Sequence, residues 1–271
     1  MYSNEIKVKE GCELGSDDRE SVIIFTTKRC ASTFLGKIIP MLNERALKLI
    51  HLDYEKYRWY ILNKSKADLL FKEEASDIAR KKGFLYAPLR EYVEFPCLCE
   101  YRILLILRDP RDLLTSDYYS RAYSHGLPGH PARRREYKAE RLRVRELTID
   151  QYAVEFAPVY KKIYSDYCKF VLPNSNVTLL RYEDFADNLN QWLAKLEEGL
   201  RIMLDDETKE SIAILKGDGK EIVEDPTQHV RKGKPGDHRS KLRLETIDHL
   251  NSIFEHELKA LGYARDISTI I

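Results

Sequence analysis

The sequence predicts an α/β protein, a mainly parallel sheet flanked by helices, and three observations carry that expectation. Short β-branched or aliphatic runs alternate with longer stretches of helical period through the first two thirds of the chain. The last third is helical in pattern, with apolar residues at three-to-four spacing. No linker and no internal repeat divides the sequence, so a single domain over residues 1–271 is expected, with its core at about 20–265.

Strand runs fall at residues 22–26, 47–52, 83–86, 102–107 and 177–182. Helical periods fall between them at 32–45, 64–82, 110–123 and 149–171, and beyond them at 185–203, 206–215 and 242–261. In such an alternation ligands bind at the carboxyl ends of the strands. Two stretches stand apart from the pattern. Residues 125–146 hold seven Lys/Arg against three Glu after a Gly/Pro-rich opening, and read as a turn and a solvated, salt-bridged helix or as a lid over an anion. Residues 216–241 form a polar stretch rich in Gly and Pro signals, the composition of a loop.

Composition narrows the function. With 271 residues and 43% hydrophobic side chains the chain can bury a full core and is not natively disordered. Forty-five Lys/Arg against 44 Asp/Glu exclude a polycation that seeks nucleic acid, so any anion site is local. No apolar run approaches the ~20 residues of a membrane span, and the polar first residues carry no hydrophobic signal core. A cytoplasmic protein without membrane partners is expected. Five cysteines, odd in number and without a Cys-x-x-Cys pair, indicate reduced thiols rather than a disulfide framework or a zinc site.

Three segments gather cations where an anion could reach them. Residues 22–39, VIIFTTKRCASTFLGKII, form a P-loop-like strand, loop and helix in which Lys28, Arg29, Ser32, Thr33 and the helix N–H groups converge, although the loop lacks glycine. The plain alternative is an ordinary helix capped by Ser32 or Thr33. The triphosphate pattern Gly-x-x-x-x-Gly-Lys-Ser/Thr is absent throughout. A second strand runs into Arg108-Asp-Pro-Arg-Asp and a helix, with Pro110 in its first turn and Ser116 two turns beyond Arg108; an Arg-Asp pair closing the turn is the structural alternative. The third segment is the basic, glycine-containing loop around Arg231 and Lys232. Three such segments imply a ligand with more than one anionic group.

Together, and in this order along the chain, these segments resemble the sulfotransferases that use 3′-phosphoadenosine 5′-phosphosulfate (PAPS). Lys28-Arg29-Cys30-Ala31-Ser32-Thr33-Phe34 is similar to the family's phosphosulfate loop, which implies that Arg29 is the catalytic cation and that Cys30, Ala31, Ser32, Thr33 and Phe34 line the donor. Arg108 and Ser116 have the spacing of the family's 3′-phosphate residues. Tyr182, in Leu-Arg-Tyr-Glu-Asp-Phe, matches the aromatic of the adenine pocket, and Arg231-Lys232-Gly233 opens the closing element that ends at Gly236-Asp237. The resemblance spans residues 23–237 and implies PAPS as co-substrate, PAP as product and no required metal.

Three departures accompany these matches. Ala31 replaces a glycine, which costs about 1 kcal/mol at positive φ, so an ordinary backbone conformation is expected there. His238 stands where the family commonly has tryptophan, and Tyr86 where many members carry a general-base histidine. A tyrosine of pKa ~10 is a poor base at neutral pH. Asp53 and Glu55, after the second strand, resemble the catalytic glutamate of other sulfotransferases, and His51 lies beside them. The same three read equally as an acidic turn paired with Lys56 and Arg58 and a histidine buried in the sheet. A small-molecule acceptor, a secondary metabolite or a sugar, follows from the lack of a secretory or anchoring segment. A nucleoside-triphosphate phosphotransferase and a non-catalytic PAP-binding module are the competing readings.

Overall fold

The computed structural model describes residues 18–53, 79–127, 131–217 and 234–264. In chain order its elements are β1 (Val22–Thr26), α1 (Ser32–Leu42), a π turn (Asn43–Leu47), β2 (Ile50–Leu52), β3 (Phe84–Leu89), β4 (Arg102–Leu107), α2 (Pro110–Tyr119), a π turn (Ser120–Ser124), α3 (Pro131–Glu146) and α4 (Ile149–Asp166). They continue with β5 (Val177–Arg181), α5 (Tyr182–Asp187), α6 (Leu189–Leu200), α7 (Asp206–Lys216), α8 (His238–Lys241), α9 (Leu244–Ile253) and α10 (Glu255–Ala260). The chain divides into two compact units, residues 1–107 with 169–218 and residues 108–168 with 219–271.

The first unit contains the sheet. Among the described residues its five strands, in the order β2-β3-β1-β4-β5, are all parallel, and β1 is central, with Ile23 opposite Tyr86 on one side and Ile103 on the other. Every residue of β1 and of β3 is buried, as a strand covered on both faces requires. On one face Val22, Ile24, Leu104 and Ile106 pack with Leu35, Ile38, Trp192, Leu193 and Leu196 of α1 and α6. The other face carries an aromatic group in which Phe95 meets Phe25, Tyr86 and Tyr101 at centroid distances of 6.4, 5.0 and 5.6 Å. The α/β class and the parallel sheet anticipated from the sequence are therefore the observed ones, and no helix among the described residues is long and apolar enough to cross a membrane.

The second unit is helical. Its α2 and α4 meet through Tyr118 and Tyr152, with ring centroids 5.5 Å apart, in a cluster that includes Ala122 and Val144. The segment over 125–146 is, from Pro131 onward, a salt-bridged helix, as the first of its two readings has it: Arg143 pairs with Glu140 and Glu155, and Arg145 donates to the carbonyl of Ala122. The predicted helix over 64–82 lies outside the described residues except for 79–82. Two predicted helices are each divided. Asn188 leaves the helical conformation and caps α6 by accepting from the Gln191 N–H, and buried Phe254 separates α9 from α10.

Two glycines measure the packing of the first unit. A Cβ on Gly199 of α6 would lie 2.7 Å from Leu104 Cδ2 and from Thr178 Oγ1, so this helix approaches the sheet as closely as glycine permits. A Cβ on Gly36 of α1 meets nothing within 4 Å. Gly199→Ala should lower stability by about 1–3 kcal/mol through overpacking. Gly36→Ala should raise it by about 1 kcal/mol through helix propensity. Urea denaturation midpoints of the two variants should move in opposite directions.

Candidate functional site

In the first unit, β1 delivers the chain to a loop held from beneath. Thr27 is buried and its hydroxyl donates to the Lys28 carbonyl at 2.8 Å, and Cys30 Sγ lies 3.5 Å from the Thr27 hydroxyl oxygen. Cys30 is fully buried, so its side chain lies beneath the loop rather than at its surface. Arg29 and Ala31 both have left-handed backbones, with φ of 66° and 54°. The expected ordinary conformation of Ala31 is therefore corrected: the chain must turn from strand to helix between Thr26 and Ser32, and it does so through αL residues although no glycine is present. Alternating handedness turns successive N–H groups toward one point, the concavity that binds anions in phosphate loops.

The helix start adds to that concavity. Ala31 is the N-cap of α1, and its methyl can accept no hydrogen bond, so the reading in which Ser32 or Thr33 caps the helix gives way; both lie within its first turn. The first helical bond is made by the Leu35 N–H to the Ala31 carbonyl, and the N–H groups of Ser32, Thr33 and Phe34 precede it. Those three groups stand at the positive end of the helix dipole. Phe34 packs on Phe185 at 4.7 Å, and Phe185 meets Tyr182 at 6.0 Å. This aromatic chain joins the start of α1 to the start of α5, so the structure brings Tyr182 and the loop to one end of the sheet.

The acid–base candidates belong to other strands of the same unit. Asp53 directly follows edge strand β2 and is half-buried; Glu55 lies outside the described residues. His51 is tied to the adjacent strand, its Nε2 lying 2.8 Å from the Ala87 carbonyl, which requires the proton on that nitrogen. Tyr86 is a core residue. Its hydroxyl accepts from the Arg80 N–H at 2.7 Å, and burial pushes its pKa above the ordinary tyrosine range. It is removed from the general-base candidates.

The second unit sorts the charges of Arg108-Asp-Pro-Arg-Asp into two sets. Asp109 caps α2, accepts the Arg111 N–H at 2.9 Å and takes the Arg111 guanidinium bidentately at 3.0 and 2.6 Å. Arg111 is 1% exposed and also donates to Asn251 Oδ1 and to the Ala264 carbonyl, so it is a structural cation. Arg108 instead lies 3.7 Å from Asp112, and Ser116 follows one turn further along the same helix face. The Arg-Asp pair foreseen as a structural alternative thus exists, but between Asp109 and Arg111.

Asp112 is the residue that the sequence reading overlooked. Its Oδ1 accepts from both the backbone N–H and Nδ1 of His238, at 2.9 and 2.6 Å, and its Oδ2 from the Gly236 N–H at 2.6 Å. Burial opposes its ionised form, yet the His238 hydrogen bond and the Arg108 charge outweigh that cost and hold its pKa well below the carboxylate range. The i,i+4 spacing from Arg108 was the available signal. The loop partner, more than a hundred residues away, left none. Arg231, Lys232 and Gly233 lie outside the described residues.

Ala31→Gly, which removes a left-handed Cβ, should stabilise the protein by up to about 1 kcal/mol, read as a rise in Tm. A fall would mean that the alanine methyl has a packing role greater than its strain.

A sulfotransferase domain family model matches residues 19–262. Among solved structures, the mouse sulfotransferase SULT7A1 complexed with PAP has a similar fold, at TM-score 0.58 and 15% identity, over 92% of this chain and 91% of that one. A retinol dehydratase in a complex with retinol and PAP is 17% identical over 89% of this chain and 82% of that chain, at TM-score 0.46. No curated protein sequence matches.

Proposed function

Since the chain belongs to the sulfotransferase family and its reaction is sulfuryl transfer from PAPS, we propose that the loop over 28–34 performs this transfer and that the acceptor is a small hydroxyl- or amine-bearing molecule. The observation that carries the proposal is the loop's geometry. Left-handed Arg29 and Ala31 lead into the uncapped start of α1, a backbone suited to a bound anion and otherwise costly.

In this reading the N–H groups of Ala31, Ser32, Thr33 and Phe34 hold the 5′-phosphosulfate, while Cys30 fixes the turn from below. Sulfuryl transfer forms a bond from the acceptor oxygen or nitrogen to sulfur and breaks the bond to the bridging oxygen of PAP. Arg29 neutralises the charge that develops on that oxygen, and the acceptor's proton passes to a carboxylate. Asp53 and Glu55 are the proposed bases; the bond from His51 Nε2 to the Ala87 carbonyl holds the histidine ring against the adjacent strand. Tyr182 stacks on adenine, and Arg108, Ser116, Arg231, Lys232 and Gly233 take the 3′-phosphate. The donor needs no metal in this scheme, because cations and helix dipoles supply the positive charge.

Arg29→Ala should lower kcat by about 10²–10³, the scale of losing a donor to a developing oxyanion. PAP should still raise the Tm of that variant by nearly the wild-type amount, without Mg²⁺. Near-normal turnover would remove Arg29 from the chemistry. Of Asp53→Asn and Glu55→Gln, one should abolish the acid limb of the pH–rate profile and the other should leave it; two normal profiles would place the base outside this pair. Acceptor-dependent PAP release across hydroxylated and amine-bearing metabolites tests the proposed acceptor class.

A further inference from the structure

We propose that Asp112 and His238 are positioning residues for 3′-phosphate recognition: the Asp112 carboxylate fixes the Arg108 guanidinium and the backbone at Gly236 and His238 in one arrangement, and His238 is the latch that holds it. The inference rests on the assignment of Arg108 to the 3′-phosphate made above. It concerns residues of the second unit alone.

The argument begins with the carboxylate's capacity. An ionised aspartate has about four acceptor positions, and Asp112 engages a group near each. Oδ1 takes the His238 N–H and Nδ1, while Oδ2 takes the Gly236 N–H and lies nearest Arg108 Nη2. An ionised carboxylate can only accept, so His238 Nδ1 carries the proton and donates. The pair is sealed, with side-chain exposures of 1% for Asp112 and 2% for His238. Such a buried charge is retained only when its hydrogen bonds are complete, so losing one donor disturbs the others.

Geometry separates this from a merely structural contact. Arg108 has a side-chain exposure of 7%, and its ion pair fixes the guanidinium of a side chain that otherwise has ample rotamer freedom. Gly236, at φ 80°, allows the chain to bring two backbone N–H groups onto one carboxylate. A tryptophan at position 238 would not reproduce this contact in place, because its ring carries a carbon where histidine has Nδ1 and its N–H lies one ring position further out. The Nδ1 contact to Asp112 is therefore a property of this chain's histidine.

The test compares affinities for adenosine 3′,5′-bisphosphate and adenosine 5′-phosphate by calorimetry on the full chain. Wild type should prefer the bisphosphate strongly. His238→Leu should cut that preference about tenfold by weakening bisphosphate binding while leaving the monophosphate unchanged. His238→Asn, whose amide nitrogen reproduces the Nδ1 donor, should restore it to within about threefold. If His238→Leu is not recovered folded, Asp112→Glu, which keeps the charge but displaces it, should show the same selective loss. Equal weakening of both ligands, or an unchanged preference, would overturn the proposal. A wild-type protein that does not prefer the bisphosphate would instead overturn the 3′-phosphate assignment on which it rests.

Discussion

Much of the first unit follows from the enclosure of β1. A central parallel strand with both faces buried and both edges paired has no freedom of register, so Thr26 has a fixed place opposite Ile106 and the turn after it starts from a fixed point. From there the chain must enter a helix whose apolar face, Leu35, Ile38, Ile39 and Leu42, has to lie on the same sheet. The space between the two requirements is five residues. Left-handed backbone at Arg29 and Ala31 is the consequence, and the anion-binding role proposed for the loop draws on that constraint together with the helix start that follows it.

The second unit solves a different problem, which is how to bury alternating charges of one short motif. Isolated burial of any of them would be costly, and pairing alone often fails to recover the loss. The chain divides the labour. Asp109 and Arg111 satisfy each other and tie the start of α2 to Asn251 and Ala264, while Asp112 takes the histidine and two backbone donors and lies 3.7 Å from Arg108. The first pair is closed in upon itself. The second ties the backbone at Gly236 and His238 to α2 beside Arg108, the cation proposed for the 3′-phosphate.

The sequence revealed the strands well because a buried parallel strand writes itself as a run of apolar residues; 22–26 and 102–107 were legible to the residue. Helix interruptions were less legible, since Asn188 acts as a cap rather than an ordinary helical residue and Phe254 is withdrawn into the core by tertiary packing. The cation motifs could be read because cations, hydroxyls and strand ends coincide in short windows. The hand of Ala31 could not, because local preference disfavours it and only the joint demands of β1 and α1 impose it. Asp112 shows the same limit: its i,i+4 relation to Arg108 lies in the sequence, whereas its bonds to Gly236 and His238 depend on chain return.

The strain in the loop over 28–34 has a logic in the proposed function. Two non-glycine residues in the left-handed region cost about 2–4 kcal/mol together, a substantial part of the 5–15 kcal/mol by which a typical protein is stable. A flexible loop could avoid that cost when empty, but it would then have to be ordered each time an anion arrived. Here the buried Cys30, the Thr27 hydroxyl and the packing of Phe34 on Phe185 hold the turn by contacts within the protein. The cost is therefore met during folding and not subtracted from binding, which is the advantage of a preorganised site. It also explains how alanine can stand where glycine would be easier: the surrounding core, rather than the residue's own preference, determines the backbone.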